Sequence, residues 1–380
     1  MPWADVVTAA ANVAKEGFNV TSEFATALKS LPCGNMTSKM TAAFQPNGHL
    51  LQAGELAYRL DLASLLKDIA RLGPDAFYNS NVTQEMIEST GKLAIEDFIN
   101  YTVLEQDPIT SSYQGNLLLT APAPHAGAML LSTLNILERF NLSASTDRNL
   151  TAHLLIEALK FALAQGSNLG DPKRNPLVAE LVLNMTSKAR AAQLQAEIDE
   201  DRTFDEDHYG PFRPIVSGNE ASQVVVIGPD NFMVTMSSSL NTAFGSCIMT
   251  HSGVLLNSEM LNFNTTSQVN KAHVGQRPLS WLAPVLVLPA KGYCGTYLAL
   301  SSSKGPHVVS SLSQGQQEVL EAKLQVLEVV TLGLMEFRQD LHSFIHHPLQ
   351  CFWPMLSWRW SHNPHQHKVK KITGYSVHIN

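Results

Sequence analysis

Eleven residues divide this chain in two. From Glu197 to Asp207 the sequence carries seven carboxylates against one arginine, Arg202. Like charge at that density resists burial, so the stretch reads as a solvated linker. The hydrophobic pattern changes across it. Before it, apolar residues recur at helical spacing: Val6, Val7, Ala10, Val13 and Ala14 share one face of a helix predicted over 5–15, and residues 60–72 repeat the pattern up to Gly73-Pro74. Helices are also predicted over 128–140 and 151–165, with a short buried strand at 117–120 ahead of the first. After the acidic run, Val224–Ile227 and Phe232–Met236 flank Gly228-Pro229-Asp230-Asn231 as a hairpin. Further strands are predicted near 282–288 and 297–301, and a long helix over 314–341. Helices, then strands, then a helix imply a layered α/β sandwich.

Composition narrows the class. The chain has 380 residues, 44% of them hydrophobic, which is ample for a folded core. A net charge of −7 argues against a whole-protein nucleic-acid footprint. No apolar run reaches the ~18 residues needed to span a bilayer, and the N-terminal residues lack a signal-peptide layout. The four cysteines, Cys33, Cys247, Cys294 and Cys351, are widely spaced without a CxxC pair; they read as buried free thiols, with no metal site. Asn-x-Ser/Thr sequons stand at Asn19, Asn35, Asn81, Asn100, Asn141, Asn149, Asn184 and Asn264, a number that favours passage through the secretory pathway. The tail from Cys351 gathers Trp353, Trp358 and Trp360 with His362, His365, His367 and several lysines, and is expected to be a disordered terminus.

The stretch from Ala221 to Phe263 carries a resemblance. Ser238-Ser239-Leu240-Asn241, Phe244-Gly245-Ser246, Gly253-Val254-Leu255-Leu256-Asn257 and Glu259-Met260 occur in the order and spacing of the small subunit of gamma-glutamyltranspeptidases, also called glutathione hydrolases. Arg277-Pro278-Leu279-Ser280 continues the likeness downstream, and Pro2-Trp3-Ala4, Ala76-Phe77-Tyr78-Asn79, Leu134-Asn135-Ile136-Leu137 and Leu169-Gly170-Asp171-Pro172 extend it upstream, over about residues 1–350. The overall character is most similar to the divergent type-6 branch. The resemblance implies an N-terminal-nucleophile hydrolase-like αββα sandwich, here truncated at its N-terminus. It implies a large-subunit-like helical region at 1–196, the acidic linker at 197–220, a small-subunit-like sheet region at 221–350 and the divergent tail at 351–380. It also implies glutathione or other γ-glutamyl compounds as ligands, with no cofactor, no metal and no nucleic acid. The expected place is the secretory pathway or the outer face of the plasma membrane, through a single-pass anchor that this chain lacks.

In that family the precursor cuts itself before a threonine, whose hydroxyl then attacks the γ-glutamyl amide. The freed α-amino group, with an ordinary pKa of ~7.7–8.0, serves as the base. The resemblance places this nucleophile at Ala221, which has no oxygen; Ser222 is the alternative attacking hydroxyl if the hairpin turn is one residue shorter. Ser239 and Asn241 keep the family's hydroxyl and amide, or serve as turn caps. Glu259 keeps one of two carboxylates that hold the substrate's α-ammonium, while the second position is Asn262, a loss of ~1 kcal/mol in charge-assisted bonding. The serine pair for the α-carboxylate becomes Ser280-Trp281, with an indole expected to crowd the pocket, and the glycine pair of the oxyanion site becomes Lys304-Gly305.

Overall fold

The structure, a computed structural model, describes residues 1–31, 36–143, 145–211, 220–228, 232–264, 267–289, 297–302 and 305–320. The chain divides into two compact units. Unit 1 comprises Met1–Asp107, Val216–Ala221 and Ser238–Phe263; unit 2 comprises Pro108–Ile215, Ser222–Ser237 and Asn264–Asn380. The predicted helix beyond Leu320 and the tail lie outside the described residues.

Unit 1 is mainly helical: α1 (Trp3–Glu16), α2 (Ser22–Lys29), α3 (Ser38–Phe44), α4 (Leu60–Leu72), α5 (Asp75–Tyr78), α6 (Asn81–Thr90) and α7 (Ile95–Ile99), with a short antiparallel pair β1 (Phe18–Asn19) and β2 (Leu56–Ala57). The α1 and α4 helices are those the apolar spacing predicts. Helices α2 and α3 begin at Thr21 and Thr37, whose hydroxyls accept from Phe24 N and Met40 N and satisfy otherwise orphaned donors. Their buried faces meet residues from far along the chain. Phe24, Phe44 and Phe244 pack edge to face with centroids 5.4–5.8 Å apart, and Met249 joins the same core. The Ser238–Phe263 segment is thereby anchored among the N-terminal helices.

Unit 2 is sheet on helix. Strands β3 (Ile109–Tyr113) and β4 (Asn116–Thr120) form a hairpin around Gln114 and Gly115, both at positive φ, the geometry that matches strand twist. Helices α8 (Gly127–Leu137), α9 (Arg148–Gly166), α10 (Leu177–Met185), α11 (Lys188–Ala196) and α12 (Glu206–Tyr209) follow. Strands β5 (Glu220–Ile227) and β6 (Met233–Asn241) pair with each other, and the chain passes from unit 1 to unit 2 inside β5. Strands β7 (Val285–Pro289) and β8 (Leu298–Leu300) extend the hairpin into a four-stranded antiparallel sheet of order β3-β4-β7-β8, and α13 (Val308–Leu320) completes the unit. Leu118, Val287 and Leu298 stand opposite one another across three strands and are all buried, so one sheet face faces the core. That core is filled by α8, buried along its entire length, together with α9 and α13.

Two sequence expectations change. The acidic stretch is fixed along its described part: Ile198 and Phe204 pack on the unit 2 core and Tyr209 is buried within it, so the carboxylates face out while every few residues an anchor faces in. Cys247 is held in a disulfide rather than being a free thiol. Cys33, Cys294 and Cys351 lie outside the described residues. Among the described residues no helix is long and apolar enough to cross a membrane.

Candidate functional site

Ser239, Asn241, Glu259 and Asn262 come together in unit 1. The organising element is the end of β6. Asn241 has a left-handed backbone (φ +73), tolerated because an Asn side chain can bond locally, and its Nδ2 donates to the Ser258 carbonyl at 3.0 Å. Its own N–H donates to Ser239 Oγ at 2.7 Å. Ser258 secures the turn from the other side, with its hydroxyl 2.8 Å from Thr242 Oγ1 and its N–H donating to the Leu240 carbonyl. Gly245 lets two backbones meet beneath: a Cβ there would sit 2.2 Å from the Leu256 carbonyl oxygen, and its φ is +56.

Residues Glu259–Asn262 form one 3₁₀ turn, in which side chains three apart eclipse. Glu259 and Asn262 therefore meet, and Asn262 Nδ2 donates to Glu259 Oε2 at 2.7 Å. The Ser239 hydroxyl is the carboxylate's other side-chain partner. Burial raises the Glu259 pKa above its ordinary value, against the opposing pull of the Ser239 and Asn262 hydrogen bonds. No ion pair neutralises Glu259 among the described residues. The arrangement is a partly buried carboxylate surrounded by neutral donors, suited to a small cation such as an ammonium group.

Ser280, Trp281 and Gly305 lie in unit 2. The loop leading to Ser280 is clamped at successive residues. Arg277 places its N–H and guanidinium on Asp171, at 3.0 Å to Oδ2 and 2.9 Å to Oδ1; Asn270 Oδ1 accepts from Leu279 N; the Pro124 carbonyl accepts from Ser280 N at 2.9 Å. Asp171 is pulled below the usual carboxylate range by Arg277 even though burial opposes this. His125, bridged to Ser280, is lowered to about 4 by burial and then by the Arg277 charge, and stays neutral. Trp281 is 7% exposed and belongs to the unit 2 core, so its indole is taken up by packing. Gly305 is buried at positive φ, opening the turn before α13; Lys304 lies outside the described residues.

Ala221 and Ser222 are consecutive residues of β5, each half-buried, with Ala221 in unit 1 and Ser222 in unit 2. A strand alternates its side chains, so only one of them can occupy any given face. Sequence reasoning did not identify Ser258 and Thr242 as organisers of the turn, although Ser258 sits between the matched stretches that end at Asn257 and begin at Glu259. Nor did it identify Asp171 and Asn270 as the holders of the Arg277–Ser280 loop. Asp171 and Arg277 stand 106 residues apart and leave no local signal.

A fold with these layers is shared with a solved structure. Cephalosporin acylase from Bacillus halodurans superposes with a TM-score of 0.71 over 84% of this chain and 59% of its own, at 21% identity. The class is that of N-terminal-nucleophile hydrolase-type α/β proteins. Human glutathione hydrolase 7 is 40% identical over 360 residues, 90% of this chain and 54% of that protein, and glutathione hydrolase 2 of Arabidopsis thaliana is 30% identical over 334 residues, 83% and 57% respectively. The sequence model of the family described as Gamma-glutamyltranspeptidase matches residues 1–336, and the chain belongs to that family. It spans about half the length of the curated relatives it matches.

Proposed function

We propose that this protein binds γ-glutamyl compounds, glutathione among them, and is impaired in cleaving them. The reading rests on Ala221, a residue of β5 that the resemblance assigns to the position of the family's attacking hydroxyl and whose side chain is a methyl group. Losing the nucleophile of a concerted catalytic set removes most of the acceleration, whatever else remains. The Glu259 carboxylate with its Ser239 and Asn262 partners supports retained recognition of an α-ammonium group.

The test uses the purified full chain. A denaturing gel with intact mass is expected to give one uncut chain, and a chromogenic γ-glutamyl anilide is expected to turn over no faster than in buffer. Two fragments joining near residue 221, or turnover abolished by Ser222→Ala, would replace this reading with an active enzyme that uses Ser222.

The same reading puts the protein in the secretory pathway. The Cys247 disulfide favours an oxidising compartment, and the sequon asparagines Asn19, Asn81, Asn100, Asn141, Asn149 and Asn184 are exposed. A mass decrease after glycosidase treatment of protein from secreting cells is the expected result.

A further inference from the structure

The acidic stretch is tied down by an unusual set of groups. Glu157 and Lys160, one turn apart on α9, form an ion pair at 2.8 Å with side chains 1% and 6% exposed. Two side chains of the following segment close on that pair. Glu157 Oε1 accepts from Thr203 Oγ1 at 2.8 Å and Glu157 Oε2 accepts from Tyr209 OH at 2.6 Å. Lys160 Nζ donates to Thr203 Oγ1, and also lies 4.7 Å from the centre of the Tyr209 ring. The Tyr209 oxygen then accepts from the Phe204 backbone N–H at 2.9 Å. One buried pair on a helix thus receives the segment through two side chains and, by way of the phenol, its backbone.

Apolar packing supports the same attachment: Ile198 and Phe204 lie on the unit 2 core, Phe161 of α9 meets the Tyr209 and His208 rings, and Ser167 Oγ donates to the Pro211 carbonyl at 3.1 Å. Phe204 stacks on His208 at 4.0 Å, Arg202 lies over Phe204 while pairing with Asp199, and His153 Nε2 bonds the Asp199 carbonyl. The outward carboxylates Asp201, Asp205, Glu206 and Asp207 are exposed. A segment whose side-chain hydrogen bonds to buried charge all converge on one helix pair, and whose outer surface is charged, has the character of a unit that opens on its own.

We infer that residues 197–211 form a latched strap, that the Glu157–Lys160–Thr203–Tyr209 cluster is its latch, and that the strap opens as a unit while α9 stays folded. Opening of the latch frees the backbone around Arg202 for another protein's active site. Arg202 reports on this, since it is the one trypsin site between 197 and 211 and its side chain is 68% exposed. Side-chain exposure alone does not make a peptide bond cleavable; the backbone must leave its place to fit a protease cleft.

Trypsin digestion of the full chain, followed by mass spectrometry, tests the proposal. Wild type is expected to be cut after Arg202 at least ten-fold more slowly than Tyr209→Phe or Thr203→Val, with cleavage elsewhere unchanged. Equal rates at Arg202, or a rise in which all sites share, would overturn it. Hydrogen exchange on the wild type is the independent readout if the variants fold poorly. The Phe204 amide is expected to be protected at least a hundred-fold relative to an unstructured peptide, yet to exchange at least ten-fold faster than the α9 amides of Lys160 and Phe161. Exchange at the unstructured rate, or together with α9, would each refute the latch.

Discussion

Glu157 is a buried carboxylate and Glu259 a half-buried one, both bonded by a hydroxyl, yet they sit in opposite electrical situations. Glu157 has its cation: Lys160 lies 2.8 Å away, Thr203 and Tyr209 fill the remaining acceptor sites, and the cluster is complete within unit 2. Glu259 in unit 1 has the Ser239 hydroxyl and the Asn262 amide, and among the described residues no protein cation at ion-pair distance. A completed buried pair is costly to break, whereas a partly buried carboxylate whose described partners are neutral is held at a cost that a cationic ligand can return. The difference teaches which polar cluster to read as structure and which as recognition.

Four perturbations would break or sharpen that contrast. The largest effect is expected for Glu157→Ala, which leaves the Lys160 ammonium buried without its partner: chemical denaturation should register a loss of about 3–5 kcal/mol. Next comes alkali. Burial and then the hydrogen bond to Glu157 push the Tyr209 phenol up to about 12, so the neutral phenol is the form the fold prefers. Its contribution is present in full below the ordinary tyrosine value near 10 and is lost as pH rises toward 12, which hydrogen exchange at Phe204 should follow.

Glu259→Gln carries the opposite signature. The raised Glu259 pKa means that folding favours the protonated form, so at neutral pH the ionised group works against stability. The variant should melt at the same temperature or higher, while affinity for glutathione by calorimetry falls by roughly 10–100-fold with the loss of a charge-assisted bond. In wild type that affinity should weaken as pH is lowered through the raised Glu259 value. The smallest effect is expected for Asn262→Asp, where a second carboxylate contributes ~1 kcal/mol, or roughly five-fold tighter binding. Unchanged affinity in both unit 1 variants would remove the ligand role from this turn.

The strongly periodic elements were legible from sequence because their signal is local. Helices α1 and α4 follow from apolar spacing and terminal glycine, and α8 from an apolar run too continuous to face water. What escaped was set by distance. Strand β3, Ile-Thr-Ser-Ser-Tyr, carries little hydrophobic alternation and is recognisable only through its pairing with β4. The stretch over 197–211 reads as solvent-loving by composition, since three anchors among its fifteen residues do not shift an average; Ile198, Phe204 and Tyr209 nevertheless decide its fate. In the candidate site the residue identities came through the resemblance. Their geometry came from two features of backbone shape, the left-handed Asn241 and the single 3₁₀ turn that brings Glu259 to Asn262.

The core of unit 1 draws Phe244 and Met249 from a segment that begins only at Ser238, long after Asp107. At ~5–20 residues per second of ribosomal synthesis, Phe24 and Phe44 must wait on the order of ten seconds for the ring that seals them. During that interval this aromatic cluster lacks its last ring, so the order in which the sequence is written delays the closing of the unit 1 core until the later segment has been made.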